Sequence, residues 1–271
     1  MKANKTVWKI PTFTPVFVLV LAIGLVLATC QLGSTGGNDN TNETGNTGGT
    51  GNTGGTGNPI TGNGALTTSE ITVSQFDKIY SIGSAEVRFH LSPEYKVVLT
   101  TDSNVFEYME TVTRGNTLNI GIKSGYSLTI KKWLVEVYSP QLTGVSIAGS
   151  GTFISEDKIT VSRFESSMSG SGRIEGTIQC DNFSATVSGS GRIAVAGSSN
   201  AANINISGSG RFSGSDFYIN NANVHVSGSG SADINVLDYL NANVSGSGRI
   251  NYRGDPRIES SVSASGRINR S

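Results

Sequence analysis

Five arginines, Arg173, Arg192, Arg211, Arg249 and Arg267, each directly follow a Gly-Ser-Gly or Ala-Ser-Gly tripeptide. Guanidinium forks recurring at one position suit a multivalent grip on an anionic glycan or a carboxylate-bearing partner. Thr152 and Ser231 interrupt the series, and outward aromatics that would stack on sugars are nearly absent from the repeats. A solvated face whose charge blocks edge pairing accounts for the same column. Acid–base catalysis would need carboxylates gathered at a shared position. The acidic residues Glu175, Asp181, Asp216, Asp233, Asp238, Asp255 and Glu259 do not recur at one repeat position, and their spacing suggests no pair. Gly228 to Asp233 reads GSGSAD, the nearest approach to a calcium-binding repeat, but the other SGSG segments lack the aspartate. No metal, cofactor or catalytic residue is expected. His90 and His225 are the only histidines and read as ordinary surface or half-buried side chains. Cys180 shares the parity of Ile174, Gly176 and Ile178, as a buried thiol acting as a small hydrophobe would.

The elements that hold these residues follow from a repeat. AGSG begins at Ala148, SGSG at Ser169, Ser188, Ser207, Ser227 and Ser245, and SASG at Ser263, with spacings of 21, 19, 19, 20, 18 and 18 residues. A period in that range marks a solenoid. Within it Phe183, Ala185, Val187, Gly189, Gly191, Ile193 and Val195 alternate with Ser184, Thr186, Ser188, Ser190 and Arg192. A period of two running straight through the glycines makes strands the repeat unit. Ala222 to Ile234 and Ala242 to Ile250 agree. The expected fold is therefore all-β, a parallel solenoid of seven coils with the GSG turns at coil corners. Glycine there would relieve a crowded inner corner and permit backbone angles closed to other residues. The alternative is an antiparallel meander with the signatures as hairpin loops. That arrangement would reverse direction at each signature and need not keep the inside–outside phase.

Upstream, Lys2, Lys5 and Lys9 precede an apolar run from Val16 to Ala28, which predicts an export signal over residues 1–29. Leu27-Ala28-Thr29-Cys30 resembles a bacterial lipoprotein box, making Cys30 the expected lipidation site. Thr29 departs from the usual small residue, and Phe13 to Cys30 is 18 residues, long enough for an uncut spanning helix instead. Residues 30–65 form a Gly/Asn/Thr-rich tether, GNTGGT occurring twice from Gly45 to Thr56, with an r.m.s. span of about 30 Å. Residues 66–143 predict strands at Ile79–Ile82, Ala85–Leu91, Tyr95–Thr101, Thr117–Ile122 and Trp133–Tyr138, opening the same sheet stack. Asp102 to Met109 reads as one short helix capped by Asp102 or Ser103. The solenoid repeats occupy residues 144–271.

Composition fits this organisation. Glycine contributes 35 of 271 residues and charged residues 15%, a mixture that suits turns and polar strand faces. Of 20 basic residues, the three lysines of the signal leave 17 against 20 acidic ones, so nothing favours nucleic-acid binding. Once Cys30 is lipidated, Cys180 has no disulfide partner within the chain.

Phe76-Asp77-Lys78-Ile79, Ser139-Pro140-Gln141-Leu142, Val145 to Gly151, the SGSG series and GRIN at Gly248 and Gly266 together resemble the putative auto-transporter adhesin, head GIN domain family over about Ser69 to Ser271. The resemblance implies a right-handed β-helix-like fold without catalytic residues and a role in cell adhesion. The expectation is a non-enzymatic lipoprotein of the bacterial cell envelope, anchored in the outer membrane, displaying the solenoid to an unidentified protein or glycan. A periplasmic scaffold binding an envelope component is the second reading, and a polysaccharide-active enzyme the third.

Overall fold

The computed structural model describes residues 59–271. The predicted signal segment, Cys30 and most of the tether lie outside the described residues. The chain joins the fold earlier than the sequence predicts, with β1 (Ile60–Thr61) pairing in parallel with a two-residue strand at Leu128–Thr129. It continues through β2 (Leu66–Ile71), β3 (Lys78–Gly83), β4 (Glu86–Leu91) and β5 (Lys96–Asp102). One 3₁₀ turn at Phe106–Tyr108 leads to β6 (Met109–Arg114), β7 (Thr117–Ile122), β8 (Leu128–Thr129) and β9 (Trp133–Ser139).

The helix predicted over Asp102 to Met109 is thus reduced to that single turn. Its amino-terminal cap is Val105, without a side-chain hydrogen bond. Asp102 is fully buried and serves backbone elsewhere. It accepts from Gly64 N at 2.6 Å and from Lys131 N at 2.8 Å, which pins residues 59–65 to the domain. Distant amides claimed the carboxylate that a local cap would have used.

The repeats then stack. β10 (Gly144–Gly149), β11 (Thr152–Ser155) and β12 (Ile159–Met168) precede four long bent strands, β13 (Arg173–Val187), β14 (Arg192–Ile206), β15 (Arg211–Val226) and β16 (Ser231–Ser245). β17 (Arg249–Arg253), β18 (Arg257–Ser263) and β19 (Arg267–Arg270) close the series. Each pairs in parallel with its equivalent one coil away, which excludes the meander. A coil has three faces. The first runs into the signature (Asn182–Val187), the second leaves it (Arg192–Ala194), and a short third one (Gly197–Ser199) turns back.

Inward rows fill the solenoid. Val187 and Val226 are fully buried and Val244 is 2% exposed; Phe164 stacks on Phe183 of the next coil with centroids 6.4 Å apart, and Phe183 meets Phe217, two coils further on, in a tilted contact at 4.9 Å. Burying each such side chain contributes about 1.5–3 kcal/mol. With one unpaired cysteine among the described residues, these rows rather than cross-links hold the fold.

The corners explain the signature in a way the sequence only half predicts. Ser190 N and Gly191 N both donate to Gly170 O, at 2.9 and 2.8 Å, and Ser171, Ser209, Ser229 and Ser247 repeat the first bond to the glycine one coil back. A Cβ on Gly189 would lie 2.3 Å from that same oxygen, and one on Gly210 would lie 2.4 Å from Val187 Cγ1. Among the SGSG corners only Gly228 and Gly246 take a left-handed φ, so close approach between coils, not backbone freedom, is the common requirement.

The stack order departs from the chain order. β3 lies between β7 and β10, pairing in parallel with both. Residues 92–143 are therefore an excursion between two adjacent coils. Gly83-Ser84-Ala85 forms an eighth corner, accepting from Ser150 N and Thr152 N. Within the excursion β6 covers β7 and β5 covers β9, both antiparallel, and cap that end of the stack. At the other end β18 and β19 pair only backwards, and Val262 is 46% exposed.

Candidate functional site

The arginine column is real in three dimensions. Thr152, Arg173, Arg192, Arg211, Ser231, Arg249 and Arg267 occupy one register position in successive coils. Coil stacking sets their backbones about 4.8 Å apart. Two of the five guanidiniums are engaged: Arg173 pairs with Glu175 two residues on, and Arg211 reaches Asp233 Oδ2 of the next coil at 3.6 Å. Arg192, Arg249 and Arg267 have no ion pair among the described residues. Ser231 is buried and breaks the positive row. Beyond Thr152 the column passes through Glu86 to Leu134, and the Glu86 carboxyl is held below the usual range by hydrogen bonding from Arg88, an effect Lys132 reinforces and burial opposes.

Contrary to the reading from spacing, two of the acidic residues recur at one coil position: Glu175 and Asp233 share a register column three coils apart, with Ala194 and Ser213 between them. Glu175 and Asp233 serve the arginines, Asp255 pairs with Arg270 at 3.1 Å, and Glu259 pairs with Arg257 at 3.0 Å. Asp181 accepts from Asn200 Nδ2 at 3.0 Å. Among the described residues no cluster of three metal-ligating side chains forms. His90 stacks on Tyr138 with ring centroids 4.7 Å apart, and His225 lies in an outward row between Asn205 and Asn243. His90 Nε2 lies 4.0 Å from Glu136 Oε1, and among the described residues neither histidine hydrogen-bonds a Ser, Thr or Cys side chain. Cys180 is 7% exposed; burial pushes its thiol up in pKa, against a weaker opposing contact with Ser199 Oγ at 3.6 Å. Burial and a raised pKa both lower the thiol's reactivity, as in a cysteine that packs as a small hydrophobe.

The sequence does not reveal a groove along the third face. Its larger part, about 580 Å³, runs from Thr160 past Gln179 and Ser198 to Tyr218 and Leu237. A second part of about 490 Å³ continues from Thr160 and Ser162 to Gln141 and Lys78. Thr160, Gln179, Ser198 and Tyr218 are register partners in successive coils. Beside them Asp181, Asn200 and Asn220 form a side-chain ladder, Asn220 Nδ2 donating to Asn200 Oδ1 at 3.3 Å. A weak signal was available, since Asp181, Asn200 and Asn220 are spaced by one coil each.

Comparison with known proteins places this architecture. A protein of Parabacteroides distasonis, described as a putative lipid binding protein, is 33% identical with a TM-score of 0.68, covering 79% of this chain and 100% of its own. A putative adhesin of Bacteroides fragilis superposes with a TM-score of 0.73 at 22% identity, over 78% of this chain and 99% of its own. Another from Parabacteroides merdae gives 0.66 at 22% identity, over 79% and 100%. No protein of curated function matches. The model of one family fits residues 75–256, spanning the capping excursion and the glycine-marked coils alike, and by that match the chain belongs to the putative auto-transporter adhesin, head GIN domain family.

Proposed function

We propose that this protein is a non-enzymatic, lipid-anchored envelope protein that holds a rigid solenoid away from the membrane for adhesive contact. The observation that carries the proposal is the outer surface itself. Polar side chains stand in straight rows, one per coil, and carboxylates that could do chemistry are mostly tied to arginines or amides. Such rows suit repeated, multivalent contact with an extended partner. The family's description as an adhesin points the same way. Attachment through Cys30 follows from Leu27-Ala28-Thr29-Cys30, and the Gly/Asn/Thr tether supplies reach. The unpaired arginines Arg192, Arg249 and Arg267 add salt-screened attraction to carboxylate-bearing surfaces. One relative is described as a lipid binding protein. Here the grooves are lined largely by hydroxyl, amide and charged groups, which favours hydrated ligands over acyl chains.

Protease treatment of whole cells tests the display. The domain should be lost from intact cells while a periplasmic marker survives, and the Cys30→Ala chain should leave the membrane fraction. Resistance of the domain until the outer membrane is broken refutes surface display.

A further inference from the structure

We infer that the groove of the third face binds an extended, uncharged, hydroxyl-rich polysaccharide segment. The inference takes its biological setting from the adhesive reading, although the binding itself does not require it. Length is the first argument. Thr160, Gln179, Ser198, Tyr218 and Leu237 belong to five successive coils, so four steps of about 4.8 Å give a track about 19 Å long. That suits a chain rather than a single sugar.

Chemistry is the second argument. Thr160, Ser162 and Ser198 offer hydroxyls, and Gln179, Asn200 and Asn220 offer amides that donate and accept alike. Sugar hydroxyls also do both, so a row of amides and hydroxyls can match them whichever way each O–H turns. Charge is the third. The one carboxylate in the larger part, Asp181, already accepts from Asn200, and Lys78 and Glu165 at the far end pair with each other at 2.9 Å. Arg163 stands at that end only. An acidic chain would have to lie on Asp181. An apolar platform is the fourth. Tyr218 is 52% exposed and Leu237 46% exposed at one end of the track, where an aromatic face can receive the C–H face of a pyranose. A peptide adding itself as a strand finds no opening, because the backbone of this face is already paired between coils.

Calorimetric titration of the full chain in detergent with neutral linear hexasaccharides tests this, using β-1,4-glucan, α-1,4-glucan, β-1,4-mannan and β-1,4-xylan, with hexagalacturonate for comparison. At least one neutral hexamer should bind, about tenfold more tightly than its dimer. Tyr218→Ala and Asn200→Ala should each weaken it about tenfold with unchanged melting, while Asn205→Ala, on the first face and outside the groove, should leave it unchanged. The inference is overturned if no neutral hexamer binds at millimolar concentration, if hexagalacturonate is preferred, or if Tyr218→Ala binds as wild type. Cells carrying the doubly substituted protein separate the two readings. Adhesion that persists there but vanishes in a deletion strain sinks the groove alone. Adhesion unchanged in the deletion strain, with glycan binding intact, sinks the adhesive reading alone.

Discussion

Replacing Gly189 by alanine adds a single methyl group and should be among the most damaging small changes available to this protein. The new Cβ would lie 2.3 Å from Gly170 O and 2.9 Å from Gly170 N. Both neighbours are backbone, so no flexible side chain can swing aside. The coils must separate locally, loosening the two bonds that Gly170 O accepts from Ser190 N and Gly191 N. Two backbone bonds are worth about 1–3 kcal/mol together, and forcing volume into a packed site costs about 1–3 more. The expected destabilisation is therefore about 2–6 kcal/mol. Gly121→Ala is the control, since nothing lies within 4 Å of its Cβ and its φ is not left-handed; it should stay within about 0.5 kcal/mol or stabilise slightly. Urea unfolding followed by far-UV circular dichroism reads both. Because solenoids unfold approximately as sums of nearest-neighbour interfaces, amide exchange on the flanking coils should accompany it. If Gly189→Ala costs no more than Gly121→Ala, close approach between coils is not why the signature contains glycine.

Three further outcomes follow from the same contacts. Burial alone would raise the Asp102 carboxyl, but backbone N–H groups of Lys131, Gly64 and Lys132 outweigh it and hold the pKa below the usual range. Its contribution is then complete above the unfolded-state value and disappears as pH falls through the folded one, so Asp102→Asn should lower the melting temperature at pH 7 and converge with wild type in acid. Equal melting at pH 7 would remove Asp102 as the clamp. Cys180 should resist a thiol reagent at pH 8 in the native protein and react fully in urea, and rapid native labelling would contradict its burial. In amide exchange, residues 257–270 should exchange ahead of residues 182–187, because the last coil is paired on one side only. Uniform protection would mean that the open end is covered.

The strand phase of the repeats was legible because it depends on side-chain direction alone: the sequence predicts Val187, Val226 and Val244 inward, and all three are buried. The arginine column was legible for the same reason. What escaped depends on contacts distant in sequence. Gly83-Ser84-Ala85 is a corner like the others, but residues 92–143 separate it from its neighbour and destroy the period. Asp102 looks like a helix cap until the amides of Gly64 and Lys131 are brought to it. The groove was invisible because the third face is only about three residues long, too short to show a period.

Small changes in coil length, rather than the signature, shape that groove. From Ser188 to Ser207 the spacing is 19 residues, from Ser207 to Ser227 it is 20, and from Ser227 to Ser245 it is 18. The corners stay in register throughout, so the difference must be absorbed elsewhere in each coil. Pairing of β15 with β16 breaks twice: Ser215, Asp216 and Phe217 are passed over, and Leu237 and Asp238 stand opposite the single residue Asn220. The first irregularity lies where the second face bends into the third and the second where the third passes into the first; Tyr218 stands between them and Leu237 within the second, the two exposed apolar side chains of the groove. Bulges re-aim side chains at little cost to the ladder on either side. A solenoid whose inner rows and corners are fixed can thus vary its surface through one- or two-residue changes in spacing, and in this chain those changes fall where the platform stands.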